Sequence, residues 1–390
     1  MGASGISRAA PAAPGLAHGM GTEPVAPDWP ALTPDEIDRL LARYPAAGPV
    51  REVLFYSPRP FSAASLVATV RGAVFVKRHH RLIRDPAGLA EEHRFIAHLR
   101  RTGLPVPDVL VNDRDETATA SGDWTYEVHT LADGLDLYRD ALSWTPFVSP
   151  DHAWSAGAAL ARLHRAAAGF SAPSRAVRPL VSSFTIAASA DLGPALTAYV
   201  AARPGLAGFL ATQPGWHGAI LAALGPHHRS LRPFLARMRP SWTHNDWHAS
   251  NLTWSDAGSR ASVRMILDFG LADRTTALFD LATAIERNAV EWLRLPESDV
   301  AHPDLAAGLM AGYDSVLPLA PWQRRAVAAL LPLVHVEFAL AETDYFHAVV
   351  GSPDNALLAF DPFLFGHVRW FESEQGRDFL AGIGAGPAGI

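Results

Sequence analysis

After about residue 50, apolar and polar side chains alternate along the chain with the period of two that is typical of β-strands. Five segments have this character, at 53–55, 66–70, 73–77, 106–111 and 124–130. Between the third and the fourth, Asp85-Pro86 is a typical helix start and Gly103 a typical helix stop. An earlier helix is predicted to begin at Thr33, which forms a capping-box pattern with Glu36. The pattern therefore predicts a compact, β-rich region with one helix inserted between its third and fourth strands.

From Leu131 onward, apolar residues recur at helical spacing instead. The strongest helical segments are 151–169, 194–213, 276–294, 302–313 and 321–347. One short β-hairpin is predicted near 252–268, with its turn at 255–258. Residues 1–27 are rich in Ala, Gly and Pro and show neither period, which is typical of a disordered tail. We therefore expect an α+β protein with a tail at 1–27 and two domains, 28–130 and 131–380.

The composition excludes several classes of protein. The 390 residues are 49% apolar and 18% charged. The 33 basic and 39 acidic residues give a net charge of −6. This charge argues against a generally basic nucleic-acid-binding protein. No apolar run reaches the roughly 18 residues of a membrane span, so no membrane association is expected. The absence of cysteine excludes disulfides, thiolate metal sites and cysteine nucleophiles. No apolar segment follows a basic start, so a cytoplasmic location is expected.

The strongest chemical pattern lies between residues 242 and 270. Asp246 and Asn251 stand five residues apart, and Asp268 follows Asn251 by seventeen residues at the end of an apolar segment, directly before Phe269-Gly270. Phosphoryl transfer needs such a set of groups, because one carboxylate accepts or orients the proton of the attacking hydroxyl. An amide oxygen and a second carboxylate are hard ligands of the kind that Mg²⁺ prefers.

The pattern His244-x-Asp246-x-x-x-x-Asn251, followed by Asp268-Phe269-Gly270, resembles the aminoglycoside phosphotransferase and choline kinase group, which is distantly similar to protein kinases. The resemblance covers roughly residues 50 to 295. It implies a bilobed protein-kinase-like fold with a small β-rich N-lobe, at 28–130, and a larger, mostly helical C-lobe, at 131–380. It also implies that the N-lobe binds nucleotide and that the C-lobe carries the catalytic loop and the acceptor site. The implied cofactors are Mg²⁺ and ATP, with GTP as an alternative to ATP.

The resemblance further implies roles for single residues. Asp246 is the candidate catalytic base, and Asn251 and Asp268 are the candidate metal ligands. The ordinary alternatives are a loop-capping Asp, a turn Asn and a strand-end Asp. His244 and Asp280 are expected to support the catalytic loop.

Lys77, at the end of the third predicted strand, is expected to bind the α- and β-phosphates. A buried lysine needs an anionic partner. The group's pattern favours Glu92 over Glu91 on the following helix as that partner. The alternative is that Lys77 is a solvated charge at the strand end.

Two departures from the group's pattern concern the nucleotide site and the catalytic loop. The segment 57–65 should cover the nucleotide, yet it contains no glycine, so the hydroxyl groups of Ser62 and Ser65 are the candidate phosphate donors. Asn245 stands where glycine is common in the group.

The interlobe hinge is expected at 126–130, where the backbone of the three central residues would bind adenine: Glu127, Val128 and His129.

The acceptor site is predicted from the carboxylates of the helical half. Several carboxylates of the helical half could converge on a cationic acceptor: Glu286, Glu291, Glu337, Glu342 and Asp344. Their alternative is a solvated acidic face. The sequence thus predicts a small-molecule kinase that phosphorylates a hydroxyl of an amino sugar, aminoglycoside or amino alcohol, and it leaves the oligomeric state open. One alternative is a catalytically inactive nucleotide-binding protein. The other is a protein kinase, but the segment 271–279 is too short for a typical activation loop and no Ala-Pro-Glu follows Asp268-Phe269-Gly270.

Overall fold

The computed structural model describes residues 16–142, 144–295, 297 and 299–385. The chain divides into two compact units, of which the first comprises Met1–Ala90 and Asp108–Leu131 and the second Glu91–Pro107 and Ala132–Ile390. The first unit contains a five-stranded sheet and the second contains most of the helices, so the predicted α+β class is confirmed. Along the described segments, none of the helices has both the length and the apolar character that crossing a bilayer requires.

The strands of the first unit are β1 Ala17–His18, β2 Pro24–Val25, β3 Val50–Tyr56, β4 Ala63–Thr69, β5 Gly72–His80, β6 Thr119–Ser121 and β7 Trp124–Thr130. Five of them form a sheet that is antiparallel throughout, with the strand order β3-β4-β5-β7-β6. The strand predicted at 106–111 does not form, and Val109 makes only an isolated bridge with His129. Pro105 and Pro107 have no N–H to donate, which explains why no ladder develops there.

Helix α1, Pro34–Leu41, begins as predicted with a capping box. The Thr33 hydroxyl accepts the Glu36 N–H at 3.2 Å, and the Glu36 carboxylate accepts the Thr33 N–H at 3.2 Å. The same carboxylate accepts hydrogen bonds from Arg78 at 2.8 Å and from the Tyr126 hydroxyl at 2.7 Å, both on the sheet. The helix buries its apolar face in one core cluster with the sheet, through Ile37, Leu40, Leu41, Tyr44, Val67, Val76 and Val128. Each such side chain contributes roughly 1.5–3 kcal/mol of hydrophobic stabilisation.

The first unit differs from the sequence predictions within residues 16–27 and at its third strand. Of the tail predicted at 1–27, residues 1–15 lie outside the described residues, and β1 and β2 form a short antiparallel pair in the remainder. The third strand extends to His80, so Lys77 lies inside β5 and not at its end. There it stands directly opposite Glu127 of β7.

The second unit contains two small antiparallel strand pairs and most of the helices. Strand β8, Pro240–Thr243, pairs with β11, Asp273–Thr276. Strand β9, Leu252–Trp254, pairs with β10, Val263–Ile266, which confirms the predicted hairpin.

Helix α2, Pro86–Arg101, begins in the first unit and continues into the second. The other helices are α3 Pro150–Ala167, α4 Leu192–Ala201, α5 Pro204–Leu210, α6 Trp216–Leu235, α7 Ala277–Ala289, α8 Pro303–Asp314, α9 Pro321–Leu330, α10 Val336–Asp344, α11 Pro353–Leu358, α12 Gly366–Phe371 and α13 Glu374–Ala385. Shorter 3₁₀ turns occur at Ala249–Asn251 and Trp292–Arg294, and π-helical turns at Tyr345–Val350 and Ala359–Phe365.

The long helices predicted at 194–213 and 321–347 are each broken into shorter ones. Pro204 begins α5, and the residue before a proline is disfavoured in helical conformation, so α4 ends at Ala201. Helix α6 was not predicted, because Pro226 and Pro233 inside it interrupt the apolar pattern.

Helices α3 and α8 approach each other so closely that backbone touches backbone. A Cβ atom placed on Gly312 of α8 would overlap the carbonyl oxygen of Trp154 in α3, and one placed on Gly157 of α3 would overlap the carbonyl oxygen of Leu309 in α8. The two glycines therefore allow this crossing.

We expect Gly312→Ala to lower the free energy of unfolding by about 1–3 kcal/mol, because overpacked cores must shift backbone to make room. Gly366→Ala is the matched control, since its added Cβ would meet nothing within 4 Å. There, alanine should be neutral or stabilising, as its helix propensity exceeds that of glycine by about 1 kcal/mol. Urea unfolding of the three proteins measures both effects, and equal stability of Gly312→Ala and wild type would contradict the close crossing.

Candidate active site

Asp280, a fully buried carboxylate near the start of α7, holds the loop that follows β8. Its Oδ2 accepts the His244 N–H at 2.8 Å, and its Oδ1 accepts the Asn245 N–H at 2.7 Å. Nε2 of His164, from α3, donates to Oδ2 at 2.9 Å. The ring of His244 lies with Nε2 at 2.8 Å from the carbonyl oxygen of Leu267. These contacts agree with the expectation that Asp280 and His244 support the loop.

Asn245 explains how the loop functions without the glycine that is common at this position. Its φ of 60° lies in the left-handed region, which asparagine tolerates better than most residues. Its side-chain oxygen accepts hydrogen bonds from the hydroxyl groups of Thr243 and Thr275, each at 2.9 Å. Its amide group donates to the carbonyl oxygen of Leu271 at 3.1 Å. The side chain thus ties the loop to β8 and β11 and fixes the turn before Asp246.

Asp246 presents a partly exposed carboxylate among basic side chains. His248 Nε2 lies 3.5 Å from its Oδ2, and Arg287 Nη2 lies 3.5 Å from its Oδ1. Burial alone would raise the pKa of Asp246, but His248, Arg287 and His244 outweigh burial and hold this pKa well below its usual range. The group is therefore an ionised hydrogen-bond acceptor at neutral pH.

The two candidate metal ligands lie on adjoining segments. The Asn251 amide donates to the Asp246 carbonyl at 2.9 Å and to its carboxylate at 3.2 Å, which directs the amide oxygen of Asn251 away from Asp246. The Leu267 N–H donates to the Asn251 carbonyl at 2.8 Å, so Asp268 follows immediately beyond that contact. Asp268 is exposed and has a φ of 51°, a strained conformation that is often found at functional sites. An amide oxygen and a carboxylate fit Mg²⁺, which prefers hard oxygen ligands.

Arg175 is a site residue that sequence reasoning missed. Its side chain is fully buried, and it lies 3.6 Å from Glu91 and 3.6 Å from Glu92. It donates to the carbonyl oxygen of Gly270 at 2.9 Å, directly after Asp268 and Phe269. Arg175 lies in an irregular segment with no periodicity, so no sequence pattern predicted a role for this residue. Glu92 thus has a cationic partner within its own unit, and its predicted pairing with Lys77 stays a prediction.

The candidate nucleotide residues of the first unit lie mostly within strands. Lys77 Nζ is 3.9 Å from Glu127 Oε1. Ser62 precedes β4, whereas Ser65 lies inside it, fully buried, with a hydroxyl that has no hydrogen-bond partner among the described residues.

The hinge predicted at Glu127, Val128 and His129 lies inside β7, between β5 and β6. The Val128 carbonyl accepts the Leu110 N–H at 2.8 Å. Since this backbone is engaged within the sheet, the adenine contact stays a prediction.

A second group of buried polar side chains adjoins Asp246 through Arg287. We call it the Glu286 cluster, and its members are Glu286, Arg287, His335, Glu342 and His367, from α7, α10, α12 and the residue before α10. Glu286 Oε1 lies 3.3 Å from His367 Nδ1 and 3.7 Å from His335 Nδ1. The ring of His367 stacks on Trp292 at 3.9 Å, and the guanidinium of Arg287 lies 4.7 Å from the Phe338 ring. Only Glu286 and Arg287 come from a segment near the catalytic motif in sequence.

Several buried atoms of the Glu286 cluster have no hydrogen-bond partner within the described part of the chain. They are Glu286 Oε1, Glu342 Oε2, His335 Nε2, and Nδ1 and Nε2 of His367. Burial lowers the pKa values of His335 and His367 well below the usual histidine range, and the neighbouring charge of Arg287 adds to this effect. Burial also raises the pKa of Glu286. Unsatisfied polar groups are costly inside a protein, so bound water or the polar groups of a ligand would satisfy these atoms.

Two of the remaining candidate acceptor carboxylates, Glu337 and Glu291, are engaged elsewhere. Glu337 accepts the N–H groups of Thr185 and Ile186 at 2.7 and 2.6 Å, so it anchors a loop. Glu291 pairs with Arg294 and His302, each at 2.9 Å. The sequence grouped these carboxylates as candidates, but it could not reveal which neighbours each of them would meet.

The pH dependence of stability tests the environment of Glu342. Burial is the largest cause that raises its pKa to about 8 from the usual 4.5, and the charges of Glu286 and Asp246 add to it against the opposing effect of Arg287. A carboxyl group that holds its proton more tightly when folded contributes stability below its unfolded pKa and loses it as the pH rises through the folded pKa. Relative to Glu342→Gln, whose amide does not titrate, wild type should therefore lose free energy of unfolding between about pH 4.5 and pH 8. Urea unfolding at several pH values measures this, and a constant difference between the two proteins would show that Glu342 titrates normally.

Comparison with known proteins identifies the family to which the chain belongs. A profile described as the phosphotransferase enzyme family matches residues 61–327. No significant match to a curated protein sequence was found. Among solved structures, the chain is similar to a microcompartment-associated aminopropanol kinase, with 17% identity, a TM-score of 0.58, and coverage of 87% of this chain and 98% of that chain.

Two further solved structures are similar to the chain. An amicoumacin kinase in complex with AMP-PNP, Ca²⁺ and Ami has 13% identity and a TM-score of 0.55, with 87% of this chain and 93% of that chain covered. A spectinomycin phosphotransferase in complex with ADP and spectinomycin has 10% identity and a TM-score of 0.51, with 90% and 97% covered. At these identities the likeness establishes the kinase-like fold, and the profile establishes the family. The chain therefore belongs to the phosphotransferase enzyme family and is a small-molecule kinase of that family.

Proposed function

We propose that the protein transfers the γ-phosphoryl group of ATP, with GTP as an alternative donor, to a hydroxyl group of a small molecule. The observation that carries the proposal is the ionised, partly exposed carboxylate of Asp246 beside Asn251, on a loop that Asp280 fixes. ADP and AMP-PNP in similar solved structures support a nucleoside triphosphate as the donor.

In this proposal, Asp246 accepts and orients the proton of the acceptor hydroxyl. Phosphoryl transfer passes through a loose transition state, so catalysis consists mainly of positioning and charge neutralisation. The amide oxygen of Asn251 and the carboxylate of Asp268 would hold Mg²⁺, which when bound neutralises charge on the phosphates. Lys77 binds the phosphates of the nucleotide, and the hydroxyl of Ser62 is a further candidate donor to them.

The Glu286 cluster supports a cationic acceptor. Two carboxyl groups, Glu286 and Glu342, have unsatisfied buried oxygens, and Arg287 links the cluster to Asp246. An ammonium group bound there would supply the donors that these oxygens lack, and its charge would favour the ionised form of both carboxyl groups. The unpartnered nitrogens of His335 and His367 would bind hydroxyl groups of the same molecule. Amino sugars, aminoglycosides and amino alcohols combine these groups, and similar solved structures include kinases named for aminopropanol and spectinomycin.

Asp246→Asn should reduce kcat by about 10²–10⁴-fold, because it removes the proton acceptor while keeping the shape of the side chain. Nucleotide binding should persist. The measurement is Mg²⁺-dependent ADP release over pools of sugars, amino sugars, amino alcohols and aminoglycosides, with Asp378→Asn, an exposed carboxylate of α13, as the control. Turnover of Asp246→Asn at the wild-type rate would refute the assignment. Nucleotide binding without turnover on any pool would favour an inactive nucleotide-binding protein.

Glu286→Gln should raise KM for a cationic acceptor by roughly tenfold or more, because it removes one charged partner of the ammonium group. The KM for the matching acceptor without the amine should change much less. Glu374→Gln, an exposed carboxylate of α13, is the control and should alter neither value. Equal losses with the amine and with its deaminated counterpart would argue against ammonium recognition by this cluster.

A further inference from the structure

The sheet of the first unit places a carboxylate directly beside Lys77. Strands β5 and β7 pair so that Lys77 stands opposite Glu127. Because side chains alternate between the two faces of a strand, His79 shares the face of Lys77, and His129 shares the face of Glu127. Lys77 Nζ lies 3.9 Å from Glu127 Oε1, and the Glu127 side chain is 1% exposed. Directly opposed residues in antiparallel strands are the closest cross-strand neighbours, so the register itself creates this ion pair.

Both oxygens of the Glu127 carboxylate are fixed. Nε2 of His79 lies 2.9 Å from Oε1, and Nε2 of His129 lies 2.7 Å from Oε2. Burial lowers the pKa of His79, so this ring is a neutral donor at neutral pH and does not replace a cation. A buried carboxylate needs a positive partner, and Lys77 provides one. At 3.9 Å, the contact between Lys77 Nζ and Glu127 Oε1 is an ion pair rather than a close hydrogen bond.

The carboxylate that the resemblance assigns to Lys77 has another cationic partner. Glu92 lies 3.6 Å from Arg175 Nη2, and Nη1 of the same guanidinium donates to the Gly270 carbonyl at 2.9 Å. Glu92 therefore serves the segment that follows Asp268. Glu127 and Glu92 thus each have a cationic neighbour within their own unit.

We propose that Glu127 is the positioning residue that holds Lys77 for the phosphates of the nucleotide. The inference rests on the proposed function, because phosphate binding by Lys77 is part of it. The pair is built into the hydrogen-bonded register of a single sheet, so strands β5 and β7 themselves set the distance between the two charges.

The test compares two ligands that differ in their phosphates, AMP-PNP with Mg²⁺ and adenosine, in direct and competition binding assays. Glu127→Gln should weaken AMP-PNP binding by roughly tenfold, because the lysine loses its charged partner, and should leave adenosine binding within about twofold. Glu52→Gln, an exposed carboxylate of β3 in the same sheet, is the matched control and should change neither affinity.

A double-mutant cycle with Lys77→Met separates positioning from mere structural support. If Glu127 acts through Lys77, adding Glu127→Gln to Lys77→Met causes no further loss of AMP-PNP affinity. A purely structural role would instead weaken both ligands in both backgrounds, which would overturn the proposal. If Glu127→Gln does not fold, Glu127→Asp serves as the test variant. Its side chain is one methylene group shorter, so its charge lies farther from Lys77. Glu127→Asp should therefore also weaken AMP-PNP binding selectively.

The outcomes distinguish this inference from the function on which it rests. If wild type binds AMP-PNP and Glu127→Gln binds it equally well, the pairing is overturned while the proposed function stands. If Glu92→Gln alone produces the phosphate-dependent loss, the partner is Glu92 and the inference is wrong. If wild type binds neither AMP-PNP nor adenosine, the proposed use of a nucleotide fails, and the role of Glu127 fails with it.

Discussion

Asp280 has no exposed surface, yet its carboxylate accepts hydrogen bonds from the backbone of both His244 and Asn245. A buried carboxylate persists only when its oxygens are satisfied, so the loop after β8 has to return to α7 in one conformation. That conformation puts Asp246 within hydrogen-bonding distance of Asn251. The proposed base and metal ligand thus inherit their positions from an acid that takes no part in the proposed reaction.

The same carboxylate connects the site to helix packing. Gly157 and Gly312 let α3 and α8 cross with their backbones in contact, which brings the Tyr313 hydroxyl within 2.8 Å of His164 Nδ1. The hydroxyl can donate to Nδ1, which leaves Nε2 of His164 protonated and able to donate to Asp280. Two residues without side chains therefore help to set the tautomer of a histidine that orders the catalytic loop.

Local patterns made part of this predictable from sequence. The capping box at Thr33 and the spacing of Asp246 from its motif partners lie within short segments, where the chemistry is visible in the order of residues. The Glu286 cluster was only partly predictable, because His335 and His367 follow Glu286 by dozens of residues and reach it only through helix packing. Helix α6 escaped prediction for a different reason, since its two internal prolines disrupt the apolar period. Sequence therefore predicted what is local, and packing decided the rest.

The division of charge between Asp246 and Glu342 follows from their surroundings. Arg287 and His248 adjoin Asp246 and keep its pKa low, so its carboxylate is ionised. Burial raises the pKa of Glu342 to about 8, so this carboxyl group keeps its proton at neutral pH. Sites that place two acids in such contrasting environments can offer a hydrogen-bond acceptor and a donor at once. In the free protein, Asp246 is therefore an anion and Glu342 a neutral acid, a contrast set by the charges of His248 and Arg287 at Asp246 and by the depth of burial at Glu342.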